Sequence, residues 1–67
     1  MLREKAVKII GNSNNFIIKT MAGDTFHATT GSHRFKEVYI SLSEPEFAAE
    51  VYYIVIKSIE VVKEDKD

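Results

Sequence analysis

Residues 51–62, VYYIVIKSIEVV, place nine aliphatic or aromatic side chains in twelve positions of a 67-residue chain. That run constrains every other choice, because so short a chain has little else to cover it with. A single core of this size rarely supplies more than about 3–5 kcal/mol of net stability without a staple. The chain has no cysteine, so disulfides and thiolate metal sites are excluded. With 45% of residues hydrophobic, association between copies is an attractive further source of burial.

Upstream of the run, short elements alternate with turns, all within one domain spanning 1–67. In LREKAVKII, Leu2, Ala6, Ile9 and Ile10 share a helical face and Gly11 stands where a helix ends. This predicts a short N-terminal helix within residues 1–10; a strand over Ala6–Ile10 is the competing reading. GNSNN (11–15) reads as a loop and FIIKTM as a strand rich in β-branched and aromatic residues. Gly23 in AGD suits a hairpin turn. In TFHATT, Phe26 and Ala28 fall on one face and His27 and Thr29 on the other. GSHRFKE reads as a polar turn, and VYISL as a strand with Val38, Ile40 and Leu42 on one face. Pro45 ends that strand, and Ser43 with Glu46 has capping-box spacing for a helical turn. Residues 63–67, KEDKD, read as a charged, frayed tail.

Two readings compete for the apolar run. A helix over 44–64 would gather Glu46, Glu50, Tyr53, Lys57, Glu60 and Glu64 in a polar stripe, giving an α+β fold with a three-stranded sheet and a C-terminal helix. Seven Val or Ile residues and two Tyr between 51 and 62 favour strands, since these side chains lose rotamer freedom in a helix and pack well on a pleat. Two strands with a one-turn corner at IKSI are therefore preferred, and the fold class is mostly β.

With strands taken, residues 16–62 resemble the Sm/LSm (Hfq-like) family of small five-stranded, SH3-like bent barrels. FIIKTMAGDTFHATT, running on to VYISL, is similar to the first block of that family, and YYIVIKSIEVV to the second, with Lys57 and Ser58 at the tight turn. The N-terminal LREKAVKII matches the family's leading helix. The second glycine of the family pattern is Ala28 here, and the family's two base-binding positions hold Arg34 and Val38. The resemblance implies a homo-oligomeric ring in which the open edges of the last two strands pair between copies. Tyr52, Tyr53, Ile54, Val55, Ile56, Val61 and Val62 are then the expected interface. Pairing such apolar edges also removes an aggregation hazard.

The residues exclude more chemistry than they suggest. Nine Lys and Arg against ten Asp and Glu give a net charge of −1, unlike a protein that grips long duplex DNA through phosphates. His27 and His33 lack partners at metal-ligand spacing, the three glycines are scattered, and no nucleophile stands beside a base, so no enzyme, cofactor or metal is expected. There is no recognisable leader and no membrane-spanning run, which points to a cytoplasmic protein. The most suggestive stretch is SHRFK. Arg34 and Lys36, with Lys57 and Ser58, suit phosphate contacts, and His33 and Phe35 suit stacking on unpaired bases. The expectation is a non-enzymatic Sm-like ring that binds single-stranded RNA or DNA in nucleic-acid processing or regulation. The alternative is a protein-interaction module or structural subunit.

Overall fold

The structure is a computed structural model and describes residues 1–63; most of the charged tail, residues 64–67, lies outside the described residues. It is mostly β, with one short N-terminal helix. Helix α1 (Arg3–Ile10) is followed by β1 (Phe16–Thr20), β2 (Thr25–Ala28), β3 (His33–Phe35), β4 (Tyr39–Ser43), β5 (Ala48–Tyr52), a 3₁₀ turn (Tyr53–Val55) and β6 (Ile56–Val61). The strands form two three-stranded antiparallel sheets, ordered β2-β1-β6 and β3-β4-β5.

Alternation sets the core. Phe16 and Ile18 of β1 face inward with Ala28 and Phe26 of β2 and Val61 and Ile59 of β6 as their cross-strand partners. In the second sheet Phe35, Ile40 and Val51 form one inward row, and His33, Leu42 and Ala49 the next. Helix α1 packs against β6 and contributes Ala6 and Ile10 to the same cluster. Gly11 ends it with φ +55°, its N–H donating to the Val7 carbonyl at 2.8 Å. Among the described residues no helix is long and apolar enough to cross a membrane.

Several expectations give way here. The C-terminal helix is absent from the described residues, because 48–52 and 56–61 pair as strands. The spacing of Ser43 and Glu46 starts no helix. Glu44 N–H instead donates to the Phe47 carbonyl across Pro45–Glu46, and β4 returns as β5. The expected five-stranded barrel is six strands in two sheets, not a closed barrel. Its second strand is interrupted over Thr29–Ser32, where Gly31 takes φ +77°. Glu44 holds this break from across the molecule: its carboxylate accepts from Thr29 N–H (3.1 Å) and Oγ1 (3.3 Å) and from Thr30 Oγ1 (2.9 Å). Burial alone would push the Glu44 carboxyl up, but these bonds outweigh it and hold it below its ordinary range.

Residue Tyr53 fixes the other end. It is buried, and its N–H donates to the Val38 carbonyl at 3.1 Å. Its hydroxyl donates to the Lys36 carbonyl at 2.7 Å, and its own carbonyl accepts from the Met1 ammonium at 2.9 Å. Burial raises the Tyr53 phenol above its usual pKa, against the pull of Arg3. We expect Tyr53→Phe to keep the packing and lose about 1 kcal/mol. Urea unfolding should show a lower midpoint at unchanged slope; an unaltered midpoint would mean the hydroxyl contributes nothing net.

Candidate functional site: an apolar groove at an open sheet corner

An antiparallel sheet leaves unpaired backbone groups on its outermost strands. Among the described residues β5 and β6 each have a single ladder neighbour, β4 and β1 respectively, so each presents a free edge. The 3₁₀ turn joins them, so both edges start from one corner. Three residues make one 3₁₀ turn, and Tyr53 takes the inward direction. Ile54 (77% exposed) and Val55 therefore face outward. Beside them lie Leu2 (74% exposed), Val38 (56%) and the half-exposed Tyr52.

Leu2, Val38, Tyr52 and Ile54 border an open groove of about 520 Å³, with Arg3 and Glu37 at its rim. The Arg3 Nε–H donates to the Lys36 carbonyl at 3.0 Å, pinning the start of α1 beside the β3–β4 turn and shaping the groove wall. Tyr39 and Tyr52 pack side by side on the outer face, ring centroids 5.5 Å apart and planes tilted by 45°. The chemistry available here is desolvation of apolar surface next to unpaired strand backbone. Among the described residues no three His, Asp or Glu side chains are grouped to hold a metal ion.

The predicted interface residues divide. Tyr52, Ile54 and Val55 are exposed, and Val61 and Val62 are half-buried. Tyr53 and Ile56 are core residues instead, because the corner turns them inward. Val38, read from alternation as inward, lies just before β4 and points out.

The predicted nucleic-acid residues divide as well. SHRFK is not a turn: His33–Phe35 is an edge strand paired with Ile40–Leu42. Arg34 and Lys36 are exposed, whereas His33 and Phe35 point inward and are not free to stack on a base. The His33 ring meets Phe16 edge-on at 4.9 Å and Phe35 at 5.4 Å, so it bridges the two sheets. Its Nδ1 is buried and has no hydrogen-bond partner among the described residues. Lys57 and Ser58 do not form the turn either. They belong to β6, where Ser58 pairs with Lys19 and Ile56 with Thr20, leaving Lys57 as the extra residue of a β-bulge. Both remain exposed, on a different sheet from Arg34 and Lys36.

The groove itself drew no expectation from sequence as a site. Its walls come from residues 1–3, 37–38 and 52–54, and only the Tyr pair and the apolar corner were visible beforehand.

Burial lowers the His33 pKa, with Glu44 pulling weakly the other way. A histidine with a depressed folded pKa binds fewer protons folded than unfolded. Stability is therefore full above the unfolded value of about 6.5 and is lost as pH falls from there through the folded value. We expect the thermal midpoint to drop between pH 7 and 5, and His33→Phe to flatten that drop; an equal drop in the variant would assign it to other groups.

No family model matches this chain, and no curated protein and no solved structure matches it either.

Proposed function

We propose that this chain is a non-enzymatic, self-assembling subunit built on the Sm-like plan, in which copies close a ring by pairing the β5 edge of one with the β6 edge of the next. The observation that carries this reading is the corner at Tyr53–Val55. Two free edges leave it, and exposed apolar side chains surround it. A lone subunit of 67 residues gains little by holding Leu2, Val38, Tyr52, Ile54 and Val55 in water. Strand order also supports the plan. With β2 and β3 counted as one strand bent at Gly31, a helix precedes five antiparallel strands and the last pairs with the first.

The second reading, single-stranded RNA or DNA on the assembled ring, is favoured by one arrangement. Arg3 docks on the Lys36 carbonyl, which sets it beside the strand that carries Arg34, with Lys36 next in chain. Three cations then border one edge of each subunit, ready for phosphate rather than for bases. Repetition around a ring turns weak phosphate contacts into useful affinity. On the outer face, however, Arg34 sits in a row with Ser41 and Glu50, which tempers its field.

Light scattering coupled to gel filtration tests the assembly. We expect a mass several times the 7.6 kDa of one chain; a folded monomer at high concentration would overturn the proposal. Fluorescence anisotropy with labelled oligo-U and oligo-A tests the second reading. Binding should weaken with salt, and the double substitution Arg34→Glu, Lys36→Glu should weaken it about tenfold or more. Lys57→Glu, on the other sheet, should act less. Affinity indifferent to the double substitution would remove these two cations from the site.

A further inference from the structure

We propose that the groove bordered by Leu2, Val38, Tyr52 and Ile54 seats an apolar knob of a second copy, its Met21 and Val55, and that one strand register delivers the knob there. This rests on the edge-paired assembly proposed above and specifies its interface.

The corner geometry gives the first reason. Within one copy the groove lies on the β5 side of the 3₁₀ turn, at Tyr52–Ile54, while Val55 leads into β6. The Val55 carbonyl accepts from Met21 N–H at 2.9 Å, so the β1–β2 turn sits against it. Met21 is 68% exposed. Antiparallel pairing of β5 with the β6 of a second copy brings the Tyr52 end of one strand to the Ile56 end of the other. Corner then meets corner, and the groove of one copy faces the Met21–Val55 knob of the next. Parallel pairing would bring the Val61 end of β6 there instead, and the knob would lie a strand length away.

Charge chooses the register. The outer face of the second sheet carries the row Arg34, Ser41, Glu50. That of the first carries the rows Ser58, Lys19, Thr25 and Glu60, Ile17, His27. With Glu50 opposite Ser58 of the second copy, one continuous row reads Arg34, Ser41, Glu50, then Ser58, Lys19, Thr25. Glu50 lies between two cations, each reached across a small serine. A slip by two residues toward Val61 sets Glu50 directly against Glu60, and like charges in that position are destabilising. A slip by two the other way sets Glu50 against the inward Ile56 and leaves only Ala48–Glu50 with partners on β6. A slip by one sets outer residues against inner ones, Glu50 against Ile59 in one direction and Ala48 against Ile59 in the other. Each copy thus offers a groove beside β5 and a knob beside β6, a head-to-tail contact that suits ring closure.

The chain has no cysteine of its own, so introduced pairs report register directly. Under mild oxidation, Ala48→Cys with Glu60→Cys, which face each other when Glu50 faces Ser58, should give covalent multimers on a non-reducing gel. Ala48→Cys with Val62→Cys, the pair a two-residue slip would join, keeps Glu50 and Glu60 and should stay largely uncrosslinked. Met21→Asp should weaken assembly about tenfold or more in light scattering, at unchanged circular dichroism, and adding Val38→Lys should recover it. An assembly that crosslinks through 48 and 62, or through neither pair, overturns the register. One indifferent to Met21→Asp, or not recovered by Val38→Lys, overturns the seat. In each of these cases assembly itself stands, whereas a monomeric unmodified chain removes both proposals.

Discussion

The buried ring of Tyr53 is the constraint from which the corner follows. Its hydroxyl and its N–H reach the carbonyls of Lys36 and Val38, two residues apart, so both sides of the β3–β4 turn are tied to one side chain and its backbone. That anchorage stops β5 at Tyr52. The chain must then turn within three residues to return along β1 as β6. With Tyr53 inward, a 3₁₀ turn has no second inward direction for Ile54 and Val55. Their exposure is a geometric consequence of burying the tyrosine, and the open groove beside them follows from it. Pinning of Arg3 to the Lys36 carbonyl then adds Leu2 to the same surface.

A second fastening lies at the Glu44 carboxylate. It gathers the N–H and hydroxyl of Thr29 and the hydroxyl of Thr30, and so ties the break after β2 to the β4–β5 turn. The break allows the chain to leave the ladder of β1 and enter that of β4. His33 is the first strand residue past it, and its ring lies between Phe16 of one sheet and Phe35 of the other. At this place the sheets meet through packed side chains, the Phe16–His33 edge contact among them, and not through a hydrogen-bonded ladder.

Elements with a local cause were readable from sequence. The helix showed its apolar face and its terminal glycine; the β1–β2 hairpin showed Gly23, which takes φ +94°. Strand β4 showed alternation, with Ile40 and Leu42 inward. What was misread depends on partners distant in sequence. The apolar run suggested two strands with a corner at IKSI; the actual corner lies earlier, at Tyr53–Val55, with Val51, Tyr53 and Ile56 inward and Tyr52, Ile54 and Val55 outward. Residues 32–36 looked like a loop because they are polar, yet period two hides His33 and Phe35 behind Arg34. The bulge at Lys57 is defined only by the shift between Lys19 and Thr20 on β1, which residues 56–58 do not reveal. For the same reason the apolar character of the site was visible early, while its walls, drawn from three separate parts of the chain, were not.

The four edges that have no neighbour among the described residues are not equally protected, and the inequality carries information. A sheet edge is kept from unwanted pairing by shortness, charge, proline or a bulge. Strand β3 has three residues with Arg34 outward, and β2 has four. Neither gives a partner much ladder to extend. Strands β5 and β6 have five and six residues. Pro45 precedes β5 without entering it, and the bulge at Lys57 disturbs only the start of β6. The longest unpaired edges are thus the two that meet at the apolar corner. Were the chain shaped to remain alone, protection would be strongest where the neighbouring surface is most apolar. The reverse arrangement is found, and it fits a subunit whose β5 and β6 edges are kept open for copies of itself.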